Sequence, residues 1–424
     1  MASARAITMM GFIKAIAEVS CLGGLLAMWL MVHAANAAEW YVNNSSVTCR
    51  DHPQAGTESA PWCRISFAAS RAQPSDIIYV KNGVYRETLY IAGLSGGSRY
   101  ITIQEYPGHS PVIRGEGFEG GRNKIVNSNF LKIAGFTITG FQQGLFVEGS
   151  NNIILERLKV HDVGQEAVHI KVNSSFVTLK DSTISDTGKL QRYGEGVYIG
   201  TSSSQQPTSP PYDNTHDILV KGNTIYNTTD ECIEAKEGTY NVTIDGNIMR
   251  DCLLDPKIIQ PGYGSIELME HRKYYNADPA HVVKNNIIQT TKTGIGVHTG
   301  ATVFNNVIYG QIGDFRGISI DNPDADGYAR RVYHNTIVLP DKRAVVSARG
   351  AGVDIRNNIG PISANNIASQ DVLFVSKALG DFRLMAGSAA IHTGVDVTGV
   401  APQDIVGAGR SVNPGPSMGA YEFR

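Results

Sequence analysis

The chain has 424 residues, with 37 Lys or Arg against 39 Asp or Glu, so its formal net charge at pH 7 is −2. This near balance argues against a basic nucleic-acid-binding surface. Only 18% of the residues are charged and 45 are glycine, a composition typical of a turn-rich β protein and not of a helical one.

The N-terminus has the three parts of a secretory signal peptide. Basic residues precede an apolar stretch at 15–32, and Ala35-Asn36-Ala37 offers the small residues of a cleavage site. An uncleaved anchor is the alternative, which Glu18 inside the apolar stretch disfavours. We expect residues 1–37 to be a signal peptide and the mature protein to be secreted or periplasmic, with no membrane association after cleavage.

Export permits disulfides. One of the five cysteines lies in the predicted signal peptide, and the other four allow three pairings. Cys49 and Cys63 bracket a short loop, and we expect them to be bonded; the bond would stabilise the fold by about 3 kcal/mol. Cys232 and Cys252 lie on neighbouring repeats but not at the same place in the repeat, so their pairing stays open.

Residues 38–90 are predicted to form the N-terminal cap and the first coils of a repeating structure. Ile65, Ala68 and Ala69 have helical spacing. We expect a short helix here that covers the first coil and protects its open edge from pairing with another chain.

The dominant pattern downstream is a six-residue frame with Asn at its fourth position. The frame begins with Val or Ile and returns about every 20 to 30 residues, the period of a solenoid. Short runs that alternate apolar and polar residues, broken by Gly, Asn and Asp, predict strands about five residues long. The frame asparagines are Asn223, Asn247, Asn286, Asn306, Asn335 and Asn358, and the frame runs earlier without Asn through Phe136, Leu158 and Ser182.

Coils of two or three such strands, stacked on one another, predict an all-β parallel β-helix that occupies residues 38–424 as one domain. Amides stacked at strand spacing can hydrogen-bond along the axis. We therefore interpret the asparagines as architecture and not as catalytic residues. Residues 371–424 lack the frame and are predicted to form irregular C-terminal coils or a cap.

Six of the predicted strands align by a central apolar residue that faces the core. Successive side chains of a strand point to opposite faces, so the residues beside the buried ones face outward. The outward positions hold carboxylates and other polar groups beside a strip of small residues. The buried residues are Val168, Val197, Ile233, Ile266, Ile295 and Ile318, the outward column is His169, Tyr198, Glu234, Glu267, Gly296 and Ser319, and Lys171, Lys236 and His298 lie in the next column.

Long insertions flank these strands, at 188–194, 202–214, 255–264 and 270–279. Insertions on a solenoid usually collect on its binding face. We expect them to wall a groove that binds an extended acidic polysaccharide, and we expect the protein to be a monomer.

For an acidic sugar, the residues in this groove indicate β-elimination. Glu234 and Glu267 would lie about 4.8 Å apart on adjacent strands, and Ca²⁺ prefers such oxygen ligands. Lys236 is the candidate base, although its ordinary pKa of about 10.4 is too high unless a bound cation lowers it. Glu195 and Glu231 precede two of the strands and are further candidate ligands. Counted by strand alternation, however, both would point inward, so they could instead cap a turn.

The remaining candidates are for substrate contact. Tyr198 is predicted to line the groove or stack on a sugar. His169, His298 and Arg316 are further substrate-binding candidates, with surface histidines as the alternative for the first two.

The run from Asn227 to Asn247 resembles the central coils of the pectin-lyase-like superfamily, which implies a single-stranded right-handed parallel β-helix. Together with Gly194-Glu-Gly-Val-Tyr-Ile-Gly-Thr-Ser202 it is similar to the chondroitinase-B and alginate-lyase family of polysaccharide lyases, beside the pectate-lyase type. The resemblance implies that Glu231 and Glu234 bind calcium, that Lys236 is the base and that Arg272 assists it. We therefore expect a carbon–oxygen lyase that acts on polysaccharides.

Two other classes compete. Asp230-Glu231-Cys-Ile is similar to the paired-aspartate motif of polygalacturonases, which implies a glycoside hydrolase in which one carboxylic acid protonates the leaving oxygen and another activates water. A non-catalytic carbohydrate-binding or surface protein would need the groove but neither Lys236 nor a metal.

Overall fold

The computed structural model describes residues 37–191, 193–258, 263–269, 278–290, 292–310, 316–320, 327–339, 345–347, 352–360 and 365–424. The predicted signal peptide lies outside these residues except for its last one. Residues Asn36–Arg424 form one compact unit. No helix within the described ranges combines the length and the apolar character needed to cross a bilayer.

The described chain winds through three parallel sheets, named here A, B and C in the order that each coil visits them. Sheet A contains Glu39–Val42, Ile77–Val80, Ile101–Glu105, Asn129–Ala134, Asn151–Glu156, Ser175–Lys180, His216–Lys221, Tyr240–Asp245, His281–Lys284, Ala301–Phe304, Arg330–Tyr333 and Val353–Arg356. Sheet B contains Val84–Tyr85, Val112–Arg114, Thr137–Thr139, Lys159–His161, Thr183–Ser185, Thr224–Tyr226, Ile248–Arg250, Ile287–Thr290, Val307–Gly310 and Thr336–Val338. Sheet C contains Tyr90–Ala92, Arg122–Val126, Gln143–Glu148, Val168–Lys171, Val197–Ile199, Ile233–Ala235, Gly264–Leu268, Thr293–Val297, Ile318–Ile320 and Val345–Ser347.

These sheets confirm the predicted single-stranded parallel β-helix. Each strand pairs in parallel with the equivalent strand one coil away, because successive coils repeat the same three strands. Within the described residues, only the first and last strands of sheet A lack counterparts in sheets B and C. The inward positions of all three sheets meet in one apolar core in which Val168, Ile233 and Ile266 are fully buried.

The asparagine ladder lies at the turn between sheets A and B, where the sequence predicts it. Each amide donates to the carbonyl oxygen of the next, as in the 3.0 Å bond from Asn247 Nδ2 to Asn286 Oδ1 and the 2.9 Å bond from Asn286 Nδ2 to Asn306 Oδ1. The ladder continues beyond the predicted set to Asn366. Ser182 occupies the equivalent position one coil earlier, and its backbone N–H donates to Asn223 Oδ1 at 2.9 Å.

A short helix, Ile65–Ala69, lies near the first strands, where helical spacing predicts one. It buries Ile65, Ala68 and Ala69, and Glu87 accepts hydrogen bonds from the N–H groups of Ile65 and Ser66 at 2.8 and 3.0 Å. That this helix serves as a cap stays a prediction.

Two disulfides join the four described cysteines. Cys49 and Cys63 are bonded as predicted, with their Cα atoms 5.1 Å apart. Cys232 and Cys252, whose pairing the sequence left open, are also bonded, with Cα atoms 5.4 Å apart. Two disulfides fit folding in an oxidising compartment.

The C-terminal segment that follows the asparagine ladder includes residues 371–424, for which the sequence predicts irregular coils or a cap. It contains the 3-10 turns Ser369–Asp371 and Lys377–Leu379 and an antiparallel pair, Phe374–Ser376 with Asp381–Leu384. The segment packs against the side of the late coils: Arg410 donates to Asn305 Oδ1 at 2.7 Å, and Ala420 N–H donates to Thr336 Oγ1 at 2.8 Å.

We predict that Asn286→Leu destabilises the protein by on the order of 3 kcal/mol, because it leaves the buried donors of Asn247 and the carbonyl of Ile244 without partners. Urea unfolding monitored by circular dichroism measures this. Asn151→Leu, at a half-buried position of sheet A outside the ladder, is the control. Equal losses in the two variants would contradict a special role for the ladder.

Glu156 gives a pH prediction. Burial alone would raise its pKa, but hydrogen bonds from Lys132 and Lys180 on the flanking coils outweigh burial and lower the pKa to about 2. Its contribution to stability is therefore present above the unfolded-state pKa of about 4.5 and is lost as the pH falls towards 2.

We expect Glu156→Gln to lower the free energy of unfolding at pH 7 by on the order of 1 kcal/mol, with a difference from wild type that shrinks as the pH falls from about 4.5 towards 2. Urea titrations at several pH values measure this, with the exposed Glu119→Gln as control. A difference that is independent of pH would contradict the ion-pair account.

Candidate active site

Sheet C carries the predicted columns in the predicted register. Val197 pairs with Ile233, and Ile233 pairs with Ile266, so their outward neighbours Tyr198 and Glu234 also lie side by side. The same register continues through the whole set: Val168, Val197, Ile233, Ile266, Ile295 and Ile318 inward, and His169, Tyr198, Glu234, Glu267, Gly296 and Ser319 outward.

Three of the four predicted metal ligands come together on this face. Carboxylate oxygens of Glu195, Glu231 and Glu234 all lie within 4.8 Å of one another, and the three side chains are buried. Burial, followed by repulsion from neighbouring carboxylates, raises the pKa of Glu195 and of Glu231 well above the ordinary value. Burial raises the pKa of Glu234 to about 7, although Lys236 opposes the shift. Three such groups need shared protons or a cation.

The prediction that the side chains of Glu195 and Glu231 point inward is wrong. Strict alternation holds only within a strand, and these residues precede Val197–Ile199 and Ile233–Ala235 by two positions. The chain bends at Gly196 and Cys232, which turns both carboxylates into the groove.

Glu267 does not join the cluster, although it pairs with Glu234 in register. Its Oε2 accepts the backbone N–H of Gly264 at 2.7 Å, and His298 Nε2 contacts its Oε1. Glu267 is fully buried, and its carboxylate is used in these two contacts. The imidazole of His298 is therefore directed at Glu267.

Lys236 lies between the carboxylate cluster and Tyr198. Its Nζ forms an ion pair with Glu234 and lies 5.2 Å from the centre of the Tyr198 ring, and 14% of its side chain is exposed. Burial lowers the pKa of Lys236, but the charge of Glu234 outweighs burial and leaves the pKa above its ordinary value. Without a cation the amine therefore stays protonated.

Tyr198 and His169 lie next to each other in the same column and their rings meet edge to face, with ring centroids 4.4 Å apart. Burial raises the pKa of Tyr198, so its phenol keeps its proton. His169 is buried, not a surface residue: burial lowers its pKa to about 3, and its Nε2 lies 3.0 Å from the carbonyl of Gly200. The ring is thus neutral, with its proton on Nε2.

The insertions build walls around two cavities that meet at Lys236. The acidic cavity, of about 500 Å³, is lined by Glu195, Asp230, Glu231, Glu234, Lys236, Lys257, Ile258 and Tyr263. The glutamine-lined cavity, of about 460 Å³, is lined by Arg122, Gln142, Gln143, Phe146, Gln165, Glu166, His169, Lys171, Tyr193, Glu195, Tyr198, Ser202, Ser204, Gln205 and Lys236.

Three of the four predicted insertions thus supply walls, through Tyr193, through Ser202 and its neighbours, and through Lys257 with Tyr263. Most of the fourth insertion, and with it Arg272, lies outside the described residues. Arg316 precedes Ile318–Ile320, three strands from Lys236, and lines neither cavity.

Gln143 was missed in the sequence, because the column of aligned strands began one coil too late. Gln143 occupies the position equivalent to Glu166, since Leu145 pairs with Val168, and its Nε2 donates to Glu166 Oε2 at 2.6 Å. Extending the alignment to Leu145 would have found it. Glu166, at the equivalent position one coil later, is also buried and lines the glutamine-lined cavity.

Residues 117–359 match the family described as "Right handed beta helix region". The chain belongs to this family. No curated protein sequence matches the chain at a significant level.

Solved structures share this fold. The alginate lyase from Paenibacillus sp. str. FPU-7 aligns with a TM-score of 0.57 and 19% identity, over 69% of this chain and 98% of that one. Pectate lyase Pel9A aligns with a TM-score of 0.63 and 14% identity, over 92% of this chain and 97% of that one. The GH136 lacto-N-biosidase from Eubacterium ramulus aligns with a TM-score of 0.50 and 12% identity, over 75% and 68%. At such identities the similarity shows the right-handed parallel β-helix fold itself.

Proposed function

We propose that this protein is a calcium-assisted lyase that cleaves a uronic-acid-containing polysaccharide by β-elimination. The observation that carries the proposal is the position of Lys236, between a cluster of three buried carboxylates and the protonated phenol of Tyr198 in a walled groove. The alginate and pectate lyases among the similar structures support this reaction class as an analogy of fold.

Calcium fits the carboxylate cluster. Glu195, Glu231 and Glu234 offer only oxygen ligands, which Ca²⁺ prefers, and Glu195 Oε2 is a buried atom that no described residue hydrogen-bonds. These three residues would hold the ion. Calcium bound there would supply the positive charge that neutralises the substrate carboxylate and that lowers the proton affinity of Lys236.

The chain's own groups then account for the proton transfers. Neutral Lys236 Nζ takes the proton from C5 of the uronate, and the C5–H electrons form the C4–C5 double bond. The C4–O bond breaks, its electron pair goes to the glycosidic oxygen, and the Tyr198 hydroxyl gives that oxygen a proton. Exchange with water restores both side chains. The products are an unsaturated uronate and a new reducing end.

A hydrolase is the second candidate, because Asp230 and Glu231 both line the acidic cavity. Burial raises the pKa of each, so either could serve as a protonated general acid. The Oδ2 of Asp230 accepts the backbone N–H of Gly194 at 2.9 Å. A non-catalytic carbohydrate binder is the third candidate.

We predict that Lys236→Ala lowers kcat on the preferred uronic-acid polymer by about 10²- to 10⁴-fold, the usual contribution of a general base, and leaves binding mostly intact. Lys236→Arg should also be inactive, because it keeps the pair with Glu234 but cannot give up its proton. The assay is the ultraviolet absorbance of the unsaturated product over a panel of uronic-acid polysaccharides.

Lys221→Ala, at an exposed position of sheet A, is the matched control. Full activity of Lys236→Ala would contradict the mechanism. New reducing ends without absorbance would identify a hydrolase, and retention on a polysaccharide column without either product would identify a binder.

We predict that Glu231→Gln weakens calcium binding by at least about 10-fold, because it removes one charged ligand without touching Lys236. Calorimetric titration with CaCl₂ measures the affinity independently of activity. Glu234→Gln should likewise make activity demand more calcium. Glu148→Gln, whose carboxylate lies at Lys124 instead, is the control. Unchanged affinity in Glu231→Gln would contradict the assigned ligand set.

A further inference from the structure

The glutamine-lined cavity contains buried polar atoms that the described chain does not pair. Gln143 Oε1 and His169 Nδ1 have no hydrogen-bond partner among the described residues. Gln143 is 6% exposed and His169 is 4% exposed, and both side chains line the cavity. Buried polar atoms in native proteins are nearly always hydrogen-bonded, so each of these two needs a partner.

Both atoms are acceptors: an amide oxygen can only accept, and the imidazole N–H of His169 is already used. Gln143 Nε2 donates to Glu166 Oε2 at 2.6 Å, which leaves Oε1 as the buried and unpaired acceptor of the amide. His169 Nε2–H donates to the Gly200 carbonyl at 3.0 Å, which leaves a lone pair on Nδ1. Glu166 Oε1, 3.9 Å from Nδ1, is too distant for a hydrogen bond. The matching ligand is therefore a donor of at least two hydrogen bonds.

The rest of the lining is suited to a sugar. Gln142, Gln165 and Gln205 add amides that can donate or accept, and Ser202 adds a hydroxyl. Arg122 and Lys171 also line this cavity, and their positive charges could pair with a uronate carboxylate.

We propose that the glutamine-lined cavity binds the sugar on the leaving-group side of the scissile bond and recognises it through unsubstituted hydroxyl groups. This assignment rests on the proposed lyase function. Glu195 and Lys236 line both cavities, so a polysaccharide lying along the helix axis places neighbouring rings on either side of Lys236. The uronate that loses its proton then lies in the acidic cavity, and Tyr198 faces the leaving sugar.

A consequence for specificity follows. O-acetylation of the leaving sugar removes the hydroxyl hydrogens and would leave Gln143 Oε1 and His169 Nδ1 buried without donors. Sites built to hydrogen-bond a substrate hydroxyl reject analogues that lack it much more strongly than apolar pockets reject a change of size. The protein should thus prefer polymer whose leaving sugar carries no O-acetyl groups.

The test is affinity electrophoresis in gels that contain polygalacturonate or alginate, each as parent polymer and after chemical O-acetylation. Lys236→Ala is the background, so that the polymer stays intact. Gln143→Leu and His169→Phe are added singly; Phe keeps the ring between Phe146 and Tyr198. Gln104→Leu, half-buried on sheet A away from the groove, is the matched control.

We expect acetylation to weaken binding of the background protein by about 10-fold, as the loss of one or two hydrogen bonds implies. Gln143→Leu and His169→Phe should weaken binding of the parent polymer by about 10-fold and bring the acetylated-to-parent ratio towards one, while Gln104→Leu changes neither. Thermal unfolding of each variant identifies those that lose binding through misfolding.

Equal binding of acetylated and parent polymer by the background protein would overturn the proposal, and this measurement depends on no cavity variant. The proposal would also be overturned if a correctly folded His169→Phe variant still discriminated fully between acetylated and parent polymer. It would likewise be overturned if no polymer retarded the protein in the gel. If wild-type protein forms no unsaturated product but the hydroxyl dependence holds, the lyase proposal fails and the sugar subsite stands.

Discussion

The register between coils is the constraint on which the rest of this structure depends. Each buried asparagine binds the amide of the next coil and the backbone beside it, so a coil that slips by one residue would lose several buried hydrogen bonds. The same register operates on sheet C, whose strands lie between successive ladder residues in the sequence. It places Tyr198, Glu234 and Glu267 on three successive strands in one line.

This rigid alignment creates an electrostatic problem at the site. Glu195, Glu231 and Glu234 are brought together and buried, where like charges repel and hydration is lost. Lys236 offsets one of these charges but gains proton affinity in doing so. The site is therefore poorly suited to chemistry until another positive charge enters, which ties the proposed base to the proposed calcium ion.

In the proposed complex, the two cavities bind different sugars of the polysaccharide. The acidic cavity concentrates carboxylates around Lys236, whereas the glutamine-lined cavity adds neutral amides, a neutral imidazole, the carboxyl group of Glu166 and the cations Arg122 and Lys171. A polymer that crosses Lys236 meets both. The disulfide from Cys232 to Cys252 anchors the strand that carries Glu234 close to the insertion that walls the acidic cavity.

The sequence alone determined the coil, the ladder and the outward columns, because strands in a stacked solenoid obey one local rule, alternation, repeated in register. It also placed Glu234, Lys236 and Tyr198 together. Alternation fails where strands end, so the direction of Glu195 and Glu231 was decided only by the bends at Gly196 and Cys232. The pairing of Glu267 with His298, the burial of His169 and the bond between Cys232 and Cys252 depend on distances across coils, which residue spacing does not contain.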